Sequence, residues 1–136
     1  VMGRWMERIA EGKSPIIFGD ASQSMDFTYV DDVARAFVLA IGSPVAFDRA
    51  FNVGTGISTS LHDLAQLMSR CMGSEQEVEY QAAATTAAVE RRKADIFLAQ
   101  DILGFEARVG LEEGVIRLVD WWRAETGRQR GHVVAT

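Results

Sequence analysis

Cysteine is all but missing from this chain: Cys71 is the single thiol among 136 residues. One cysteine closes no internal disulfide, which fits a reducing, cytoplasmic setting. Neither histidine stands in a motif that would activate Cys71 as a nucleophile. It follows Leu64, Leu67 and Met68 on an apolar-periodic stretch and reads as a small buried hydrophobe. Prolines number two and no low-complexity run occurs, which argues against wholesale disorder. Basic residues are in the minority, 14 against 19 acidic, and the net charge of −5 lacks the footprint of a general nucleic-acid binder. No apolar run approaches the about 20 residues of a membrane-spanning helix.

What remains is the balance of a folded domain. Hydrophobic residues make up 48% and charged residues 24%, and the length suffices for one core. The opening VMGRWMERIAEGK interleaves Arg4, Glu7, Arg8 and Glu11 with apolar residues, the pattern of an amphipathic helix and not of a signal peptide. Periodicity predicts a helix from Met2 to Ala10, with Met2, Trp5, Met6 and Ile9 on one face and Gly12 as its end. Pro15 to Phe18 predicts a strand, and Asp26 to Val30 a second, with Phe27 and Tyr29 on one side. Asp31 or Asp32 is expected to cap a helix over Val33–Ile41. That helix is apolar almost all round, so burial on more than one side is expected.

Ala50 to Val53 predicts a strand, Gly54-Thr55-Gly56 a turn, and Ser60 to Met72 a helix with Leu61, Leu64, Ala65, Met68 and Cys71 inward. Gly73 is its stop. Further on come a strand at Glu77–Gln81, a loop over Ala82–Ala88 and a short strand at Val89–Lys93. A helix at Asp95–Leu103 is closed by Gly104, and a helix at Leu111–Glu125 carries the stripe Leu111, Val115, Leu118, Val119, Trp122. Gly127 ends it, and residues 128–136 are expected to be a mobile tail. This mixture predicts an α/β (α+β) domain over residues 1–127.

The stretch FNVGTGISTSLHDLAQLM has the layout of a dinucleotide-binding fingerprint: apolar strand, glycine turn, helix. Gly54 and Gly56 supply G-x-G, but the third glycine is replaced by Thr59, a β-branched residue where close packing is needed. Thr59, Ser60 and Asp63 instead explain the turn as a hydroxyl helix cap with an acidic residue in the first turn. A structural turn is the better reading.

Three segments carry a resemblance. IIFGDASQSMDFTYVDDVARAFVLAI, AFNVGTGISTSLHDLAQLM and RRKADIFLAQDILGFEARVGLEEGVIRLVDWWR resemble, in order and spacing, the C-terminal part of extended short-chain dehydrogenase/reductases. These are the NAD-dependent nucleotide-sugar epimerases and dehydratases, UDP-glucose 4-epimerase-like among them. Members normally begin with a Rossmann domain carrying G-x-x-G-x-x-G, followed by a catalytic Tyr-x-x-x-Lys. Here Val33 and Ala84 stand four residues after Tyr29 and Tyr80, and no such glycine loop occurs. The resemblance therefore implies a substrate-binding portion that is not redox-active alone, with no catalytic or cofactor-binding residue of its own and NAD(P) implied for a full-length relative.

The resemblance also implies a nucleotide-sugar site. In the family, backbone groups of the strand before G-D contact the base, which places Ile16 and Phe18 there and Ser22, Gln23 and Ser24 on the adjoining loop. Phe18 serves either that site or the core. The family's diphosphate-binding arginine is Met25 here, and a thioether binds no phosphate. Arg91 or Arg92 supplies the charge instead, or the two form a solvated pair on an edge strand. The resemblance further implies that residues 31–56 pack on a Rossmann domain, so that the chain alone is expected to cover this surface by homo-oligomerisation or with a missing Rossmann half. The other reading is a standalone binding or assembly module.

Overall fold

The computed structural model describes residues 1–19, 23–82 and 91–127. The expected mobile tail, most of the 82–88 loop, and Ser22 lie outside them. Among these residues, besides a 3₁₀ turn at Pro44–Ala46, five α-helices and five short strands follow in the order α1 (Met2–Ala10), β1 (Ile16–Phe18), β2 (Ser24–Met25), α2 (Val30–Ile41), β3 (Thr59–Ser60), α3 (Leu61–Met72), β4 (Glu79–Gln81), β5 (Arg91–Arg92), α4 (Phe97–Leu103) and α5 (Leu111–Thr126). The mixed α/β class is as the sequence predicts. Among the described residues no helix is long and apolar enough to cross a membrane.

The helices follow their local signals. Ser60 caps α3, its hydroxyl accepting from the Asp63 amide. Gly73, Gly104 and Gly127 end α3, α4 and α5 in the left-handed conformation, where a Cβ is costly. The main core lies where one face each of α1, α3 and α5 meets β1. It buries Trp5, Met6, Ile9, Ile17, Leu61, Leu64, Met68, Val115, Val119 and Trp122. Fully burying such a side chain contributes about 1.5–3 kcal/mol. The Trp5 indole N–H donates to the Ile16 carbonyl at 2.7 Å, fastening α1 to β1. A second, smaller cluster joins Ala36 of α2 to Ala99 and Leu103 of α4 and to Phe105.

Strands form within three of the five expected stretches, β1 within Pro15–Phe18, β4 within Glu77–Gln81 and β5 within Val89–Lys93, and depart from the sequence reading elsewhere. β1 pairs in parallel with β4, Ile16 against Glu79 and Phe18 against Gln81. β2 is central in a second sheet, antiparallel to β3 and parallel to β5. The strand expected at Asp26–Val30 is not formed: pairing stops at Met25 and Val30 already begins α2. Neither Asp31 nor Asp32 caps α2, because the helix starts earlier, from Tyr29, and both lie inside its first turn. No strand forms at Ala50–Val53 either; Phe51 and Val53 instead pack against the second cluster. Cys71 is half-buried at the edge of the main core, not within it.

The expected burial of α2 on several sides does not occur. Only Asp32 and Ala36 are buried, while Phe37, Val38 and Ile41 are 67%, 68% and 83% exposed.

Candidate functional site

The three strands β3, β2 and β5 set the geometry of the candidate site. Side chains alternate across a sheet, so residues in register share a face. Met25 is in register with Arg92 and Thr59; Ser24 is in register with Arg91 and Ser60. The Ser58 hydroxyl donates to Ser24 Oγ at 2.9 Å on the second of these faces. Both arginines are exposed, and neither forms an ion pair among the described residues. The structure thus brings Ser24, Met25, Arg91 and Arg92 together and assigns Arg92, not Arg91, to the face of Met25.

Phe18 is 54% exposed and lies outside the core formed by the described residues. Between it and Ile16, Ile17 turns the other way and is buried. The Gln23 side-chain Nε2 donates to the Phe18 carbonyl at 3.4 Å, and the Gln23 backbone carbonyl accepts from the Leu61 amide. The Ile16 carbonyl already holds the Trp5 indole, so only its remaining lone pair is open to a ligand.

Asp26, directly after β2, explains the glycine turn. Its Oδ1 accepts from the Thr55 amide at 2.9 Å and the Thr55 hydroxyl at 2.5 Å, and its Oδ2 from the Gly56 amide at 2.8 Å. Gly54 is required by close approach: a Cβ there would stand 2.6 Å from Ala94 Cβ and 2.7 Å from Asp26 Oδ2. Gly56 has φ +71°. The turn folds around an internal carboxylate. Its two adjacent N–H groups, the ones a pyrophosphate would need, are already taken. The residues present therefore do not fit a dinucleotide cradle.

Burial alone would raise the Asp26 pKa, but hydrogen bonds from the Thr55 hydroxyl and the amides of Thr55, Gly56 and Ala94 outweigh it and hold the carboxyl below its ordinary 3.8. Asp32, 2% exposed, repeats the device. It accepts from the amides of Arg108 and Val109 and from the Arg35 guanidinium at 2.9 Å. Burial pushes its pKa up, and those bonds again pull it below the ordinary value. Arg35 also donates to the Glu106 carbonyl. The sequence reading gave Asp32 a local capping role and put Asp26 at the start of a strand, and missed these long-range roles. The available signal was the G-x-G turn itself, whose paired donors need an anion, with Asp26 next to a strand.

No group of three or more His, Cys, Asp or Glu able to hold a metal occurs among the described residues.

Comparison with known proteins bears on the family and the fold. Residues 1–54 match the NAD dependent epimerase/dehydratase family. The UDP-glucose 4-epimerase of Mycolicibacterium smegmatis is 34% identical over 123 residues, 90% of this chain and 39% of that protein. A crystal structure of UDP-glucose 4-epimerase with UDP-glucose from Thermotoga maritima superposes with a TM-score of 0.78 at 32% identity, over 92% of this chain and 40% of that one. MoeE5, solved in complex with UDP-glucose and NAD, gives a TM-score of 0.76 at 33% identity, over 92% of this chain and 42% of that one. The chain spans about two fifths of the length of the curated relatives it matches. Over the part it spans, the chain is thus a homologue of UDP-glucose 4-epimerases that shares their fold and matches the NAD-dependent epimerase/dehydratase family model in its first 54 residues.

Proposed function

We propose that residues 1–127 form the nucleotide-sugar-binding portion of an NAD-dependent epimerase or dehydratase. The observation that carries this reading is the register of Met25 with Arg92. It puts a guanidinium on the same face, one strand over, from the position where the resemblance implies a phosphate-gripping arginine. Phe18, exposed at the end of β1, offers an aromatic face to a base, with Gln23 bonded to its carbonyl and Ile16, Ser22 and Ser24 as the further substrate-side residues in this reading. Arg92 offers a forked donor to the diphosphate. NAD enters through a part of the full-length protein outside these residues, since the Gly54–Gly56 turn serves Asp26. The chain alone carries no chemistry in this reading.

Calorimetry with UDP and UDP-glucose tests it. Saturable binding is expected, weakened about tenfold or more by Arg92→Ala, the loss of one charge-assisted hydrogen bond. Arg91→Ala is expected to have a smaller effect. Absence of binding to both nucleotides refutes the proposal, and micromolar binding of NAD by the chain refutes its division of labour.

A second reading, a standalone assembly module, is favoured by one observation. Phe37, Val38 and Ile41 of α2, with Val45 and Phe47 after it, are large exposed apolar residues. Both readings expect this surface to be covered, by the cofactor-binding half in the first and by a second copy in the other. A clean monomer in light scattering at micromolar concentration counts against self-association.

A further inference from the structure

Burial does not tell β5 which basic residue to turn toward Met25. Arg91, Arg92 and Lys93 are consecutive and all exposed, so none is drawn to either face by an apolar contact. The strand is two residues long, lies at the edge of its sheet and pairs, among the described residues, with β2 alone. Short polar strands of this kind have a weakly specified register. A slip of one residue along β2 would turn every side chain of β5 to the other face. Arg91 or Lys93 would then stand beside Met25 in place of Arg92.

Asp26 supplies the missing hold. Its amide donates to the Arg92 carbonyl at 2.8 Å. Its carboxylate accepts from the Ala94 amide, two residues further on. Asp26 therefore grips the chain on both sides of Lys93, and only one register satisfies both bonds. The carboxylate is itself fixed by the amides of Thr55 and Gly56 at 2.9 and 2.8 Å, so it does not follow a sliding strand. A steric stop acts on the same segment. Gly54 leaves room for the Ala94 methyl group, since a Cβ on Gly54 would stand 2.6 Å from it. A slip would bring Lys93 or Asp95, both larger than alanine, into that tight seat.

We propose that Asp26 is a positioning residue that locks the register of β5, with Ala94 seated against Gly54, and so selects Arg92 over its basic neighbours for the Met25 face. Asp26 acts through Arg92 and not on a ligand. The lock belongs to the fold, and its consequence for binding rests on the reading of Arg92 as the diphosphate's donor.

Two measurements on the full chain separate the lock from that reading. Nuclear Overhauser contacts of the Met25 methyl group report the register without a ligand. In the wild type they are expected at Arg92 and not at Arg91 or Lys93; in Asp26→Asn they are expected to reach Arg91 or Lys93. Calorimetry with UDP reports the consequence. Affinity is expected to fall about tenfold or more with Arg92→Ala and under about threefold with Arg91→Ala. In the Asp26→Asn background the two losses are expected to come within about threefold of each other. A purely structural role would lower stability and leave that asymmetry unchanged. Gly54→Ala, which pushes Ala94 from its seat, is the second variant and is expected to act in the same direction, so the test stands if Asp26→Asn does not fold. Met25 contacts confined to Arg92 in every variant that folds overturn the proposal, as does an undiminished asymmetry between the two arginines. Absence of UDP binding refutes the reading of Arg92, and the Met25 contacts then decide the lock on their own.

Discussion

Replacing Asp26 with asparagine tests the account of the glycine turn most directly. The carboxylate accepts from Thr55 through Oδ1 and from the Gly56 amide at 2.8 Å through Oδ2. Asparagine keeps one acceptor. With its oxygen toward Thr55, its NH₂ faces the Gly56 N–H, donor against donor. The substitution thus removes charge-assisted bonds, each contributing about 1.5–3 kcal/mol, and leaves one donor unmet. A loss of about 3–5 kcal/mol is expected on that basis, a large share of the about 5–15 kcal/mol typical of a domain. Urea denaturation with an unchanged slope measures it.

The pH dependence supplies an independent check. The folded-state pKa of Asp26 is depressed, so its stabilisation is present above the unfolded value near 3.8 and lost as pH falls through the folded value. The gap between wild type and Asp26→Asn should therefore narrow below pH 3.8. A loss under about 1 kcal/mol at neutral pH, or a gap that widens on acidification, would refute the reasoning.

Gly54→Ala drives a methyl group to within 2.6 Å of Ala94 and should cost about 1–3 kcal/mol by the same denaturation assay. Phe37→Glu places a charge on the exposed face of α2 and should abolish self-association in light scattering without lowering the melting temperature. Burial, reinforced by Glu112, raises the Cys71 thiol above its ordinary value. Alkylation by iodoacetamide near pH 8 should therefore run slower than for a free thiol and accelerate in urea.

The helices were legible because their signals are local. Ser60 with Asp63, and the glycines at 73, 104 and 127, mark ends within a turn or two of chain. Of the strands, β1, β4 and β5 were legible as positions but not in their pairing, because their partners are remote, while β2 and β3, of two residues each, give too little alternation to count. Phe27 and Tyr29 alternate as a strand would, yet Asp26 reaches for the Thr55–Gly56 turn and pairing ends. Of the candidate site, Met25 and the two arginines were visible as residue types. Which arginine shares a face with Met25 depends on a parallel register that no single segment encodes. The exposure of Phe18 and of α2 likewise follows only once the layers are assembled.

The two hydrophobic clusters imply an uneven molecule. The cluster around α1, α3 and α5 rests on large side chains, whereas that of α2 and α4 has Leu103 and Phe105 as its only large buried members. What ties α2 to residues 108 and 109 is chiefly a carboxylate, Asp32, and not packing. Such a half opens locally at lower free energy than the rest, so its amides should exchange with solvent first. The surface offered to a partner then belongs to the most yielding part of the chain, and any partner that docks there would set its rigidity as well as cover it.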